Sequence, residues 1–499
     1  MSSGIAARIR AVLEIDPDAP AIEFDGHWYT WGDLARAADD VDTALDALRA
    51  GAGTPIGVLL ANRPAAVGVL LGVLRADACA VTLNPHLGVE RVAHDLDALD
   101  VALVAGAAVD LDHVGAADAR GAVLSLADLG VPGVLTMAAD GHATSGHTFD
   151  GVAVRMLTSG TTGPPKRVDL SYATLEEVMV GAKHYEANAR TDLALRGGVV
   201  IVNAPLVHLS GVFRVLQAVL DGRRIALLER FTVDGWVQAV REHRPKTVSL
   251  VPTALRMVLD ADVDREVFDS VRSVVSGTAP LDPDLADAFT ARYGVPVLTS
   301  YGATEFGGGV AGWNLADHQQ YGVAKRGSVG RAHAGCSLRV VDPDLGTDLG
   351  TDAVGLLEVR AAQLGTDEWV RTTDLARVDA DGFLWILGRS DQTILRGGYK
   401  VQPEVVRAAL ERDASVVEAA VVGIREPRLG AVPVAAIERR PGHDVDEVAL
   451  LTEAGRHLAR YEVPVAITVV DALPRTASGK ADLAAVRALF DGETASVRR

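Results

Sequence analysis

Along the first hundred residues, short apolar runs alternate with segments whose apolar residues recur at helical spacing. Residues 22–32 place two β-rich pieces on either side of Asp25-Gly26, a strong hairpin signal. Helical spacing over 33–48, 64–75 and 89–99 alternates with strand-like runs at 56–60, 80–83 and 101–105. Strands alternating with helices predict parallel strands covered on both faces. The pattern weakens over 106–150, which is rich in Ala, Gly and Asp. It returns as a strand at 152–157, a helix at 175–189 and a strand at 199–203. Helices at 212–220 and 233–242 and strands at 225–228, 248–251 and 271–276 complete a second α/β unit of similar layout. From about Val329 the character shifts to short strands and turns, with a β-rich piece at 337–341 and 355–360. Beyond Gly388 a compact α+β segment follows: helix 403–411, strand 416–422 and helix 446–460. The predicted class is α/β. A large N-terminal domain, residues 1–388, holds two α/β subdomains and a small β-rich subdomain, and a small α+β domain occupies 389–499.

The length, 499 residues, fits more than one domain. Nearly half the residues are apolar and about a quarter charged, which suits a globular enzyme with large cores. The net charge of −18 argues against nonspecific nucleic-acid binding over the whole surface, while leaving room for a local phosphate pocket. Two cysteines, Cys79 and Cys336, are too few for a disulfide framework or a Cys-based metal site, so a cytoplasmic chain is the simplest expectation. No signal peptide is expected, and no apolar run approaches bilayer length, so the chain is not read as an integral membrane protein.

The stretch Thr158-Ser159-Gly160-Thr161-Thr162-Gly163-Pro164-Pro165-Lys166 changes the picture. Glycines let backbone approach a ligand closely, and N–H groups, hydroxyls and an ammonium suit anionic oxygens. The usual ATPase loop has Gly before its Lys and Ser or Thr after it; Lys166 has neither. Pro164 and Pro165 lack N–H donors, which disfavours a phosphate-binding helix starting there.

The order Ser-Gly-Thr-Thr-Gly-x-Pro-Lys resembles the phosphate loop of the adenylate-forming superfamily of acyl- and aryl-CoA synthetases, adenylation domains and luciferases. Five further segments follow in the family's order, and the resemblance spans essentially the whole chain. Gly277-Thr278-Ala279-Pro280 resembles the segment lining the adenine pocket, which usually has Gly at the place of Thr278. Tyr301-Gly302-Ala303-Thr304-Glu305 resembles Tyr-Gly-x-Thr-Glu. The resemblance implies that Tyr301 packs by adenine, Thr304 lies by phosphate and Glu305 holds the magnesium on ATP, a hard cation that wants oxygen ligands. Thr372-Thr373-Asp374 and Gly388-Arg389-Ser390-Asp391 resemble Thr-Gly-Asp and Gly-Arg-x-Asp. That implies a ribose-binding Asp374, an Arg389 at ribose and phosphate, and a hinge at Asp391 about which residues 389–499 move. Gly397 and Gly398 resemble the turn near the pantetheine arm of CoA, and Pro474 to Lys480 resemble the segment whose lysine reaches the substrate carboxylate and α-phosphate. Besides Thr278, four positions depart from the pattern: Arg167 and Thr373 stand where glycine is usual, Leu395 where Lys is frequent and Val405 where Glu is usual.

The implied reaction is carboxylate attack on the α-phosphorus of ATP, then displacement of AMP by a thiol. The site must screen the carboxylate from the triphosphate and neutralise charge gathering at the α-phosphorus, a task for Lys480, magnesium and the loop. Lys480, Glu305, Thr158 and His208 are the catalytic candidates. Residues 206–213 contain no acid to hold a substrate ammonium, and an unpartnered buried ammonium is costly. The expected substrate is therefore an apolar carboxylic acid without an α-amine, with His208 at the acyl pocket and room left by Gly307-Gly308-Gly309. ATP, Mg2+ and CoA are the expected cofactors, with a separate carrier-protein thiol as the alternative acceptor. A chain with weakened adenylation, specialised in the thioester step, is the further alternative.

Overall fold

A computed structural model describes residues 3–87, 89–99, 101–116, 122–137, 147–158, 166–183, 192–476 and 480–490. The chain divides into two compact units, one of Met1–Thr158, Lys166–Ser337 and Arg360–Glu368, the other including Leu338–Val359 and Trp369–Arg499.

The first unit is built on three sheets. The largest has seven strands. Cys79–Leu83, Pro55–Leu59, Leu103–Ala107, Ala122–Leu126 and Val152–Thr158 are parallel, flanked by antiparallel edge strands Val134–Thr136 and Lys166–Ser171. Strand residues pointing to one face join helices Trp31–Leu48 and Pro64–Arg75 in the main core. Leu59, Leu83 and Val104 point to the other, against Val92 and Leu111. Helix Trp31–Leu48 starts where Thr30 accepts from Asp33 N while Asp33 accepts from Thr30 N, a reciprocal cap that satisfies two otherwise orphaned donors. The hairpin at Asp25-Gly26 is present, with both residues at positive φ (53° and 77°). Its strand Pro20–Phe24 runs parallel to Arg223–Leu227, which also pairs with Arg196–Val202. The third sheet carries Thr247–Ser249, Ser273–Ser276 and Val297–Ala303 in parallel, then Gly308–Gly312 and Arg331–Ala332 antiparallel.

The second unit has an antiparallel sheet of Cys336–Val341, Val354–Ala361, Val370–Val378 and Leu384–Arg389. A second sheet is formed by strands from Ile394–Arg396 to Ile467–Val470. The β-rich piece expected within 1–388 thus groups by compactness with the C-terminal residues, as strand Leu384–Arg389 packs on helix Pro403–Leu410. The predicted helix over 446–460 is shorter, Glu447–Ala454, because Gly455 caps it. Among the described residues no helix is long and apolar enough to cross a membrane.

Candidate active site

In the first unit, strand Val152–Thr158 leads into the hydroxyl-rich loop and Lys166–Ser171 leads out, with Thr158 opposite Lys166 and Leu157 opposite Arg167. Ser159, Gly160, Thr161, Thr162 and Gly163 lie outside the described residues. Strand alternation separates the two cations that follow the loop. Val168 and Leu170 enter the main core, so Lys166 shares their face, while Arg167 and Asp169 are on the opposite one. Arg167 Nη1 donates to the Thr82 carbonyl at 3.2 Å, and burial lowers the pKa of its guanidinium. The departure from glycine therefore places a side chain against a neighbouring strand, on the side of the sheet away from Lys166.

His208 is the N-cap residue of helix Leu209–Leu220 and has extended backbone (φ −108°, ψ 150°). The preceding segment is pinned by Asn62, a buried amide that sequence reasoning missed. Its Oδ1 accepts from Leu206 N at 2.8 Å, and its Nδ2 donates to Ala204 O and Leu228 O at 3.1 and 2.9 Å. Only the folded chain brings residue 62 beside 204–228, so no local signal marked it.

Gly277 to Pro280 leave strand Ser273–Ser276, and Thr278 has φ 69°. A β-branched residue in the left-handed region is strained by about 1–3 kcal/mol, which gives a physical reason for the family's glycine there. Tyr301 and Gly302 end strand Val297–Ala303, and a side chain at Gly302 would run into the Gly308 carbonyl. Thr304, Glu305 and Phe306 form one 3-10 turn closed by Gly307 (φ 72°). Phe306 is buried and its carbonyl accepts from Gln363 Nε2 at 2.7 Å, so the exposed Glu305 carboxylate stands on a fixed turn. Gln363 is a second support missed in the sequence. Among the described residues no three His, Cys, Asp or Glu cluster as a metal site. A magnesium ion that keeps phosphate and water oxygens needs few protein ligands, and Glu305 fits that role.

The glycines after Glu305 do not leave the volume expected of them. A Cβ on Gly307 would strike Thr174, one on Gly308 would lie 3.2 Å from Val178, and those on Gly309 and Gly312 would lie 3.0 and 2.8 Å from the His333 ring. They admit neighbouring helix and imidazole instead. His333, also unforeseen, shares a hydrogen bond with Gly309 O through Nδ1 at 3.1 Å, and burial holds its pKa below the ordinary value.

In the second unit, Asp374 and Arg389 face each other across adjacent strands. Thr372 Oγ1 fixes the approach to Asp374 by accepting from Asp374 N at 3.0 Å and donating to Leu357 O at 2.9 Å. Thr373 lies exposed in strand Val370–Val378, where the pairing with Val354–Ala361 shifts register, and its backbone stays outside the left-handed region that favours glycine. Its replacement of glycine therefore strains nothing. Arg389 holds Asp391 through two parallel hydrogen bonds, at 2.9 and 2.7 Å. Gly397 and Gly398 have φ 57° and 89° and close the two-residue hairpin between Ile394–Arg396 and Tyr399–Val401, a turn that requires two left-handed residues. Leu395 and Val405 are exposed. Lys480 is exposed at the base of a turn, where its carbonyl accepts from Thr476 N at 2.8 Å. Arg475 anchors that turn to Glu418 and Glu438 at 2.8 and 2.9 Å.

Residues 9–366 match the family model described as AMP-binding enzyme, and 406–480 match the AMP-binding enzyme C-terminal domain. The chain is 28% identical over 479 residues to 4-coumarate–CoA ligase 3 of Oryza sativa subsp. japonica, covering 91% of this chain and 86% of that one. It is 30% identical over 498 residues to sulfoacetate–CoA ligase of Cupriavidus necator, covering 93% of each. The fold is shared with o-succinylbenzoate CoA synthetase of Bacillus subtilis, solved with ATP and magnesium, at a TM-score of 0.78 and 22% identity over 96% of this chain and 99% of that one. The chain therefore belongs to the AMP-binding enzyme family and is an adenylate-forming enzyme of the acyl-CoA synthetase type.

Proposed function

We propose that the chain is an AMP-forming acyl-CoA ligase for a carboxylic acid without an α-amine. The observation carrying this reading is that Glu305, Asp374, Arg389 and Lys480 each stand on a strand or turn tied down by hydrogen bonds. Relatives named as CoA ligases support CoA as the thiol.

In this reading Thr158, Lys166 and the loop between them bind the triphosphate. Residues 277–280, Tyr301 and Gly302 take the adenine, Thr304 lies by the phosphates, and Asp374 accepts hydrogen bonds from the ribose hydroxyls. Glu305 would hold magnesium, which screens phosphate charge when bound. Lys480 offsets the repulsion between the incoming carboxylate and the α-phosphate. The carboxylate oxygen bonds to phosphorus as the bond to pyrophosphate breaks. The CoA thiol then adds to the acyl carbon, loses its proton and expels AMP. Residues 389–499 act as the mobile domain, hinged at Asp391, with Gly397 and Gly398 beside the pantetheine arm and His208 at the acyl pocket.

The Lys480→Ala variant should lose pyrophosphate release while unfolding like the wild type, since an exposed turn lysine contributes little to stability. Near-normal adenylation by that variant refutes the assignment. Mass analysis separates the acceptors: an acyl-CoA product supports the reading, and a thioester formed only on a carrier protein replaces it with carrier loading.

A further inference from the structure

Helix Leu209–Leu220, which follows His208, buries Val212, Val215, Leu216 and Val219 in the main core. At 100° per residue, Ser210, Arg214 and Gln217 fall on the opposite face. All three are half-buried. Among the described residues no hydrogen bond or ion pair reaches Arg214, and burial alone shifts its pKa, downwards. Two other enclosed arginines meet carboxylates. Arg75 meets Asp39 and Asp42 at 2.7 and 2.6 Å, and Arg407 meets Glu404 and Glu411 at 2.8 and 2.6 Å. A half-buried guanidinium with no anion beside it can be answered by one arriving from outside. Its planar fork matches carboxylate and other oxyanions.

We propose that Arg214 is a specificity-determining residue that binds a second acidic group, a carboxylate or sulfonate, at the far end of the acid substrate. The inference rests on the acyl-CoA ligase reading for the identity of the ligand. Arg214 lies one residue beyond the stretch, 206–213, from which an apolar acid was expected. Its charge repels an ammonium, so the absence of an α-amine stands. The apolar expectation for the rest of the acid drew on open space at Gly307 to Gly309, and that space is occupied by Thr174, Val178 and His333.

The test compares butanoate, succinate and 3-sulfopropanoate, together with longer monoacid and diacid pairs. Direct binding by calorimetry and CoA-thioester formation are both measured, for wild type, Arg214→Met and Arg214→Lys. Wild type should favour the acids with an anionic end by about 100-fold, since a site built for a charged group is left unpaired by its neutral analogue. The two anionic ends distinguish carboxylate from sulfonate. Arg214→Met should abolish the preference mainly through KM, and Arg214→Lys should restore part of it. Arg214→Met should also melt a few degrees higher without ligand, because an unanswered charge has gone, and should lose the stabilisation that the anionic acid gives wild type. Equal or better use of the neutral acids by wild type, no anion-dependent binding, or a preference retained in Arg214→Met overturns the inference. So does an equal rise in ATP KM with every acid, which would assign the guanidinium to the triphosphate. If no CoA thioester forms but anion binding depends on Arg214, the ligase reading fails and the Arg214 site stands. If monoacids form thioesters without preference, the reverse holds.

Discussion

Replacing Arg167 with glycine separates packing from nucleotide binding at the phosphate loop. The substitution removes a charged donor 3.2 Å from the Thr82 carbonyl, worth about 1.5–3 kcal/mol. Glycine within strand Lys166–Ser171 costs about 0.5–1 kcal/mol more in backbone entropy. Returning the half-buried guanidinium to water in the unfolded comparison offsets about 1 kcal/mol of this. The expected net loss is about 2 kcal/mol, roughly 3 °C in melting temperature for a unit of this size. Because Arg167 and Lys166 face opposite sides of the hairpin, ATP KM and the adenylation rate of the surviving folded enzyme should change by less than about two-fold, a range within the spread expected for a residue away from the ligand. Urea unfolding with pyrophosphate release on the same preparations measures both. A ten-fold or larger change in ATP affinity or adenylation, with stability loss below about 0.5 kcal/mol, would refute the facing argument and return Arg167 to the triphosphate.

Two further predictions concern the second unit. Glu358, only 6% exposed, is pushed up by burial but held below the ordinary carboxylate range by Arg339 and Arg371, so Glu358→Gln should cost about 2–3 kcal/mol by leaving two cations in one place. A depressed folded pKa gives stability that is present above the unfolded value of about 4.3 and lost as pH falls through the folded one. The urea midpoints of wild type and variant should therefore converge below about pH 4 and stay parallel above pH 5, and a constant gap at all pH values would count against the charge assignment. Asp391→Pro fixes one backbone dihedral and removes the partner of Arg389. It should slow one half-reaction at least about ten-fold more than the other, while Asp391→Asn slows both by similar, smaller factors; equal loss of both in the proline variant argues against a hinge.

Local signals were legible where the physics is local. Asp25-Gly26 and Gly397-Gly398 mark turns that need positive φ, and Pro64 opens a helix whose residues, 64–75, follow from periodicity alone. What closes over long sequence separations was not. The pairing of Pro20–Phe24 with Arg223–Leu227 joins residues some two hundred positions apart, and the supports supplied by Asn62 and Gln363 span 144 and 57 positions. The glycines at 307–309 were misread because an absent side chain marks either open space or a close neighbour, and composition cannot distinguish them. Arg214 was findable: it is the sole cation in helix Leu209–Leu220, on the face opposite the apolar stripe.

The arrangement also explains why the departures from the family pattern coexist with its charged groups. Thr373 keeps an extended strand backbone outside the left-handed region, and Arg167 is turned to the face that Lys166 does not share. Of these departures, Thr278 is the one with a left-handed, strained backbone, at a segment assigned to adenine in the proposed reading. Strain of that size survives only where surrounding contacts over-determine the backbone, and strand Ser273–Ser276 is paired on both sides, to Thr247–Ser249 and Val297–Ala303. Glu305 and Lys480 lie at the other extreme, exposed and carried by turns whose hydrogen bonds belong to Gln363, Thr476 and Arg475. Stability and chemistry are thus assigned to different side chains. In the proposed reading the Glu305 carboxylate and the Lys480 ammonium serve magnesium, phosphate and acid, while the fold rests on other side chains.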